Sequence, residues 1–552
     1  MPCIGAILFL ERTFFTCPMG KIRGNKYDQG IRYLNLYRQI IMKQYLKSIF
    51  ILLTGLIFFH LFSTLQVYLS NTALLKILKT LKTTDYLLMP NSLIMAKLDD
   101  ISVAFAGGVF FTLSVGTFIV LVSFGAAVIY YRYEKLKTGL AVVAVSSLLI
   151  GFLIINENGL CLVESMSCLL VPLFVFFLYG LLFNTTDNRP DPEMIAVHFI
   201  PLIVLASLLI ATTLISNHKI FSDFRDSFLM SNSIGMKVNN FYYKYTLYPA
   251  RVFKPYSMRL PKVCSVEANS EEKDTFLIKK RLIDMDYLVI DKGHDGALIP
   301  DFIIQKNGKD LWLKYKGRTV IKTQVKLFTS KPWQFLKQFS KQTDKYGNYR
   351  QITSFALKTG FPLYMYILMH FILYIFFRVI LSVFAIKEKN AIAASLCCFV
   401  IGSLSFLMMY NGSKFEATKE NLTSMLKSPI TGERIAGLKF VDKKHLDITK
   451  FAAYDTRFKD NNIPEKYWYA RAIGSSSAPD AYQELVKFLD DAHINVVCQA
   501  LYGLGQLKKR AAVDLIIKKI ETSEDWYVQW YAYRALKRLK WTQRTKYQKK
   551  RL

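Results

Sequence analysis

Long apolar runs alternate with polar, basic segments along this chain, and that alternation divides it. Seven runs each approach the ~20 apolar residues that a ~30 Å hydrocarbon core requires: 48–69, 101–131, 139–155, 159–183, 194–216, 362–386 and 390–410. The second is long enough to tilt or to project from a bilayer. The third and fourth form a hairpin around Asn156-Glu157-Asn158. The pattern predicts a polytopic α-helical membrane protein of about seven spans. Its parts are a basic segment (1–47), a five-span block (48–216), an inserted soluble α+β domain (217–361), a two-span hairpin (362–411), a C-terminal helical domain (412–540) and a basic tail (541–552).

Periodicity inside the inserted domain changes from helical to strand-like. Phe221, Phe224 and Phe228 recur at helical spacing, as do Val238, Tyr242 and Tyr245, and Pro249 and Pro255 are expected to break that helical stretch. An amphipathic run at 276–284 leads into an apolar strand at 287–290. Asn307-Gly308 then separates two strand-like runs, a pair that suits a tight hairpin because both turn positions need positive φ. Leu311, Leu313 and Tyr315 share one face of the second run, with Trp312, Lys314 and Lys316 on the other. Gly317 turns into a third run at 319–328. Pro332 opens a last helix carrying Phe335, Leu336 and Phe339. A small sheet packed by helices is expected.

The C-terminal region repeats itself. Arg471-Ala472-Ile473-Gly474 returns as Tyr502-Gly503-Leu504-Gly505 at an offset of 31 residues. Leu485, Val486 and Leu489 return as Ile516, Ile517 and Ile520 at the same offset. A third copy starts at Val528, with Ala532, Ala535 and Leu536, and a weaker one precedes them at 434–438. Self-similarity at this period signals helix pairs stacked into a solenoid. Residues 431–540 resemble the HEAT-repeat family in its short bacterial form, with 447–462 departing from the array. That resemblance implies a scaffold that binds a protein partner and by itself implies no chemistry.

Charge sets the orientation. The 552 residues carry a formal net charge of +31. The inserted domain holds 26 lysines and arginines against 13 acids, and residues 412–552 hold 27 against 16. Basic surfaces of this kind favour anionic partners, whether lipid headgroups, anionic envelope polymers or nucleic acid, the last not expected here. Residues 21–47 hold seven basic side chains and one acid, a cytoplasmic flank under the positive-inside rule. Arg132, Lys135, Lys137, Lys387 and Lys389 then also fall inside. With seven spans, both soluble domains lie outside the cytoplasm of a bacterial inner membrane. The outer loop 71–100 carries Leu74, Ile77, Leu78 and Leu81 on one helical face and is expected to lie on the membrane surface. Residues 1–18 hold an apolar patch too short to span, Met19 offers a more ordinary start, and no cleavable leader is expected.

Chemistry is sparse. The chain has no Gly-rich phosphate loop with its lysine, no His-Glu-x-x-His and no Gly-x-Ser-x-Gly. No catalytic residue, metal ligand or cofactor site is assigned, and none of the eight cysteines makes a metal-binding pair. A Cys264–Cys498 disulfide is conceivable in an oxidising compartment, and Asp284-Met285-Asp286 has a spacing used by some metal-dependent sugar transferases. Glu164, Arg378, His60, His198 and His370 are the ionisable groups inside spans and form the intramembrane shortlist. Glu164 is near enough to the outer surface to snorkel, and the histidines fall at different depths. A non-enzymatic membrane scaffold is the leading expectation. The alternative is a transporter or membrane-embedded enzyme with regulatory soluble domains.

Overall fold

One helix, α1 (Arg23–Leu81), runs for 59 residues. No proline interrupts it, and its apolar stretch continues past residue 69 into Leu74, Leu75 and Leu78, so nothing ends the helix at residue 69. The computed structural model describes residues 23–82, 86–132, 137–183, 225–267, 273–290, 299–383, 396–397, 400, 404, 415–451, 462–477 and 480–542. It is mostly helical, with one small mixed sheet.

Among the described residues, five helical segments are long and apolar enough to cross a membrane. They are Lys43–Leu81, Ile101–Tyr131, Lys137–Asn156, Leu162–Phe183 and Gly347–Phe377. Two expected spans have no counterpart here, because 194–216 and most of 390–410 lie outside the described residues. The second segment comprises α2 (Ile101–Phe111), a π-turn (Thr112–Gly116) and α3 (Thr117–Arg132). The next two are α4 (Lys137–Asn156) and α5 (Leu162–Phe183), and the last belongs to α11 (Gly347–Val383). Small residues let these helices approach closely, as packing in lipid favours. A β-carbon at Gly116 would lie 2.6 Å from the Phe59 ring, and one at Gly108 would lie 3.0 Å from the Thr64 nitrogen. α11 passes Pro362 without a break, so this span starts well before the expected boundary.

The bundle has two distinguishable ends. At the foot, Lys47 Nζ donates to Leu182 O at 2.6 Å and Tyr45 meets Phe371. At the head, Gln66 reaches Glu164, and Asn348 donates to Ile154 O and to Glu157. Phe183 therefore leaves the bundle at the foot, while Arg225, where the described chain resumes, packs at the head against Tyr467.

Above the head end sit α6 (Ser233–Tyr245) and α7 (Leu247–Phe253). Pro249 occupies the first turn of α7, where its missing N–H costs nothing, so it starts a helix that Pro255 then follows. The sheet has the order β2-β1-β3-β4-β5. β1 (Lys262–Glu267) pairs in parallel with β2 (Tyr287–Ile290) and β3 (Phe302–Asn307), while β4 (Asp310–Tyr315) and β5 (Arg318–Gln324) continue antiparallel. α8 (Lys273–Asp284) makes the crossover between β1 and β2. The hairpin turn falls on Gly308-Lys309, one residue later than expected, with Asn307 paired to Asp310. The turn Lys316-Gly317 has both residues at positive φ, and β5 yields to α9 (Val325–Ser330) before α10 (Pro332–Gln342).

One sheet face packs on Ile278, Phe328 and Phe339. The other receives Leu81 and Tyr86 against Val263, Leu288 and Ile290. Leu74, Leu78 and Leu81 are thus buried in protein, which overturns the surface-lying helix expected over 71–100. They continue α1 upward into the underside of the sheet.

The C-terminal array consists of α12 (Leu422–Lys427), α13 (Thr431–Lys444), α14 (Ile463–Ala472), α15 (Ala481–Lys487), α16 (Ile494–Leu507), α17 (Val513–Thr522) and α18 (Trp526–Arg538). The repeated glycines explain themselves by contact. A β-carbon on Gly474 would meet Gly503 Cα at 2.6 Å, and one on Gly505 would meet Ala535 Cα at 2.9 Å. Successive helices α14, α16 and α18 cross backbone to backbone at these points.

Candidate functional site

The array meets the rest of the chain along one ridge, built by the N-terminal halves of α14, α16 and α18. Equivalent positions 31 residues apart supply it: Trp468, Gln499 and Trp530, and beside them Pro464, Asn495 and Trp526. Because the helices stack in register, these side chains align on one side.

At the first helix, Trp468 Nε1 donates to Asp226 Oδ2 at 2.7 Å. Arg225 and Lys439 pair with the same carboxylate at 2.7 and 3.1 Å. The Arg225 guanidinium also lies 4.0 Å from the centre of the Tyr467 ring and donates to its hydroxyl. Asp226 is buried, and two cations with an indole N–H replace its hydration, as a buried carboxylate requires.

At the second helix, fully buried Asn495 exchanges amide hydrogen bonds with Asn239 of α6 and donates to the Tyr243 hydroxyl. At the third, Tyr527 packs on Tyr243 and shares a hydroxyl–hydroxyl bond with Tyr242. Burial pushes the Tyr243 and Tyr527 phenols well up, so both stay protonated. Asn91, from the segment between the first two membrane-length helices, reaches the carbonyls of Ile520, Glu521 and Ser523. Lys537 pairs with Asp286 at 2.7 Å, fastening α18 to the sheet domain.

One apolar core runs without a break from Phe59 and Phe111 in the bundle, through Tyr243 and Tyr248, to Leu501 and Leu536 in the array. The ridge is therefore occupied by this chain itself. The outward helices α15 and α17 and the turn after α16 carry Lys487, Lys508, Lys509, Arg510 and Lys518, all exposed.

The intramembrane shortlist is dispersed. Buried Glu164 accepts from Gln66 Nε2 at 2.7 Å, so it is held inside the bundle and does not snorkel. Buried His60 places Nδ1 2.7 Å from the Thr112 hydroxyl at the π-turn, with Ser63 beside it and the Phe105 ring edge-on. Buried His370 faces Tyr366 and Phe371. Each has its own partners and no pair of these three shares one. Arg378 lies in α11, but its side chain and all of His198 lie outside the described residues. Asp284 ends α8, and Asp286 is taken by Lys537. Cys264 and Cys498 are free and buried in separate places, in the sheet and in the array. Among the described residues no group of three or more histidines, cysteines and carboxylates could hold a metal ion.

Sequence reasoning did not single out Asn91, Asp226 or Asn239. Each reaches a partner hundreds of positions away in the array, and no local period marks it.

Residues 456–545 match the HEAT-repeat family model. The matched stretch spans α14 to α18 and so contains the whole ridge. No curated protein and no solved structure matches the chain.

Proposed function

We propose that this chain is an integral membrane scaffold whose repeats bind a protein partner in the cell envelope. The observation that carries the reading is the fastening of the repeat ridge. Asp226, Asn239 and Asn91 hold the array at the head of an apolar bundle, and Asp286 ties it to the sheet. An array fixed in this way turns its other face outward, and extended repeat surfaces are suited to protein binding. The exposed lysines of α15, α17 and the turn between them favour an acidic partner or an anionic envelope polymer.

In this reading the foot of the bundle faces the cytoplasm, next to the basic N-terminal flank, and the head and array face the other side of a bacterial inner membrane. The described ends flanking 184–224 lie at opposite ends of the bundle, which suits a seven-span chain. A reporter active only in the cytoplasm, fused after Leu552, is expected to be silent, and strong activity would reverse the orientation. Partner binding is tested by cross-linking from intact membranes. Leu504→Asp places a charge in the array core and should abolish capture of the partner.

A second reading has one observation in its favour. Polar side chains are buried in the bundle at the π-turn and at Gln66–Glu164, and intramembrane polar groups often serve transport or catalysis. Under that reading Glu164→Leu, Arg378→Leu and His370→Phe remove cellular function while the cross-linked partners stay the same. Under the scaffold reading the same changes leave both intact.

A further inference from the structure

A narrow cleft, about 30 Å³ in volume and open on one side, lies where α7, the end of α1 and α18 meet. Its apolar wall is Leu74, Leu247, Leu260 and the rings of Trp526 and Trp530, and three cations line it: Arg251, Lys254 and Arg259. Lys254 Nζ stands 3.8 Å from the centre of the Trp530 ring and 4.8 Å from that of Trp526. Arg251 Nη1 is buried without a hydrogen-bond partner. Arg259 donates through Nε to the Lys254 carbonyl at 3.0 Å, which draws the two basic residues together.

The local acid does not balance these charges. Asp301 is the carboxylate that acts on Arg251 and Arg259, and its Oδ2 already accepts from Val263 N at 2.9 Å and from the Tyr256 hydroxyl at 3.0 Å. Burial presses Arg251 down to about 10 and Lys254 down to about 8, as expected of cations that have lost water without gaining an anion. The ring faces give Lys254 partial compensation only.

We propose that this cleft binds a phosphate group, held by Arg251, Lys254 and Arg259 against the Trp526–Trp530 wall. Guanidinium forks match phosphate oxygens in geometry, and three cations lining one cleft suit an anion of more than one charge or several acceptor oxygens. The depth of the site indicates two sources. α7 rests on the bundle itself, since a β-carbon on Gly107 would lie 2.9 Å from Tyr248 Cβ and 3.5 Å from Pro249 Cδ. Arg251 and Lys254 therefore stand just above the apolar helices. Anionic lipid headgroups are found at that level if the bundle is embedded, and a soluble phosphate ester reaches the same place from the aqueous side.

The test uses the full chain in nanodiscs. One arm titrates inorganic pyrophosphate into phosphatidylcholine discs by calorimetry. The other follows phosphatidylglycerol retained from mixed discs by native mass spectrometry. Variants are Arg251→Gln and Lys254→Gln, with Lys97→Gln, whose partner is the exposed Glu524, as the control. Saturable pyrophosphate binding, weakened at least tenfold by both cleft variants and not by the control, supports the site with a soluble phosphate as ligand. Stoichiometric lipid retention lost in the same variants supports it with a headgroup as ligand. Neither signal in wild type, or signals unchanged in folded cleft variants, overturns it. Should Arg251→Gln fail to fold, the half-buried Lys254 decides alone.

Discussion

Asn91 and Gln529 are joined across the interface between the bundle-side loop and the helical array. The Asn91 backbone N–H donates to Gln529 Oε1 at 3.0 Å, while Gln529 Nε2 donates to Ser523 O at 2.8 Å. The Asn91 side chain lies 2.9 Å from the carbonyls of Ile520 and Ser523 and 3.0 Å from that of Glu521. The last carbonyls of a helix have no partner within it. Here a residue from far upstream supplies the donor for α17, and its own Oδ1 accepts from Ile94 N.

Asn91→Ala should therefore destabilise the docked array by about 1–3 kcal/mol, the cost of leaving buried polar groups unpaired. Asn91→Asp should cost more, because a carboxylate would face those carbonyls. Protease cleavage rates of the array in purified full-length protein provide the measurement, and unchanged rates for both variants would contradict the assignment.

The backbone crossings make an equally direct case. Gly503→Ala sets a methyl group 2.8 Å from both Ala470 O and a Leu485 methyl, and Gly474→Ala sets one 2.6 Å from Gly503 Cα. Overpacking of this sort costs about 1–3 kcal/mol. Gly125→Ala meets nothing within 4 Å and should be neutral. Thermal unfolding should place Gly474→Ala and Gly503→Ala well below wild type and Gly125→Ala beside it.

Asp226 should behave as the centre of a cluster and not as one half of a pair. Trp468→Phe removes one of its donors and should cost about 1–2 kcal/mol. Asp226→Asn leaves Arg225 and Lys439 short of their anion and should cost more, about 3 kcal/mol by analogy with broken buried pairs. A double-mutant cycle on the two sites should show coupling, and strict additivity would remove the cluster from the account.

Lys262 gives a pH dependence with a definite sign. Its amine is buried, donates to Met285 O at 2.9 Å, and is pushed down to about 8 from an ordinary 10.5, chiefly by burial. Between those values the unfolded chain binds the proton and the folded chain does not, so this group adds stability as pH rises from about 8 to about 10.5. Relative to wild type, Lys262→Met should lack that rise. Unfolding midpoints for the two proteins at pH 7.5, 9 and 10.5 check it, and parallel curves would count against the buried amine.

How much of this was legible in the sequence depends on the range of the signal. The membrane-length helices, α8, the β3–β4 hairpin and the offset of 31 residues are local or periodic, and residues within one element report them. β1 escaped notice because Lys-Val-Cys-Ser-Val-Glu shows no alternation: a strand with neighbours on both sides and contacts on both faces is buried throughout. The continuation of α1 beyond residue 69 does not show in the sequence because an amphipathic face looks the same whether it meets lipid or a sheet. The ridge partners were invisible for a further reason. Asn239 and Asn495 are each ordinary polar residues, and only the folded chain brings them to 2.8 Å.

α1 has a mechanical meaning as well. At 1.5 Å per residue it is a rod on the order of 85–90 Å long, packed against Val120 and Val175 in its middle and against Val263 and Leu288 around Leu81 at its tip. It contains no proline to act as a hinge. A change in its tilt would reach the sheet at Leu81, and through Asp286 and Lys537 the helix α18. One unbroken helix therefore connects the apolar bundle to the sheet on which the last helix of the array is fastened.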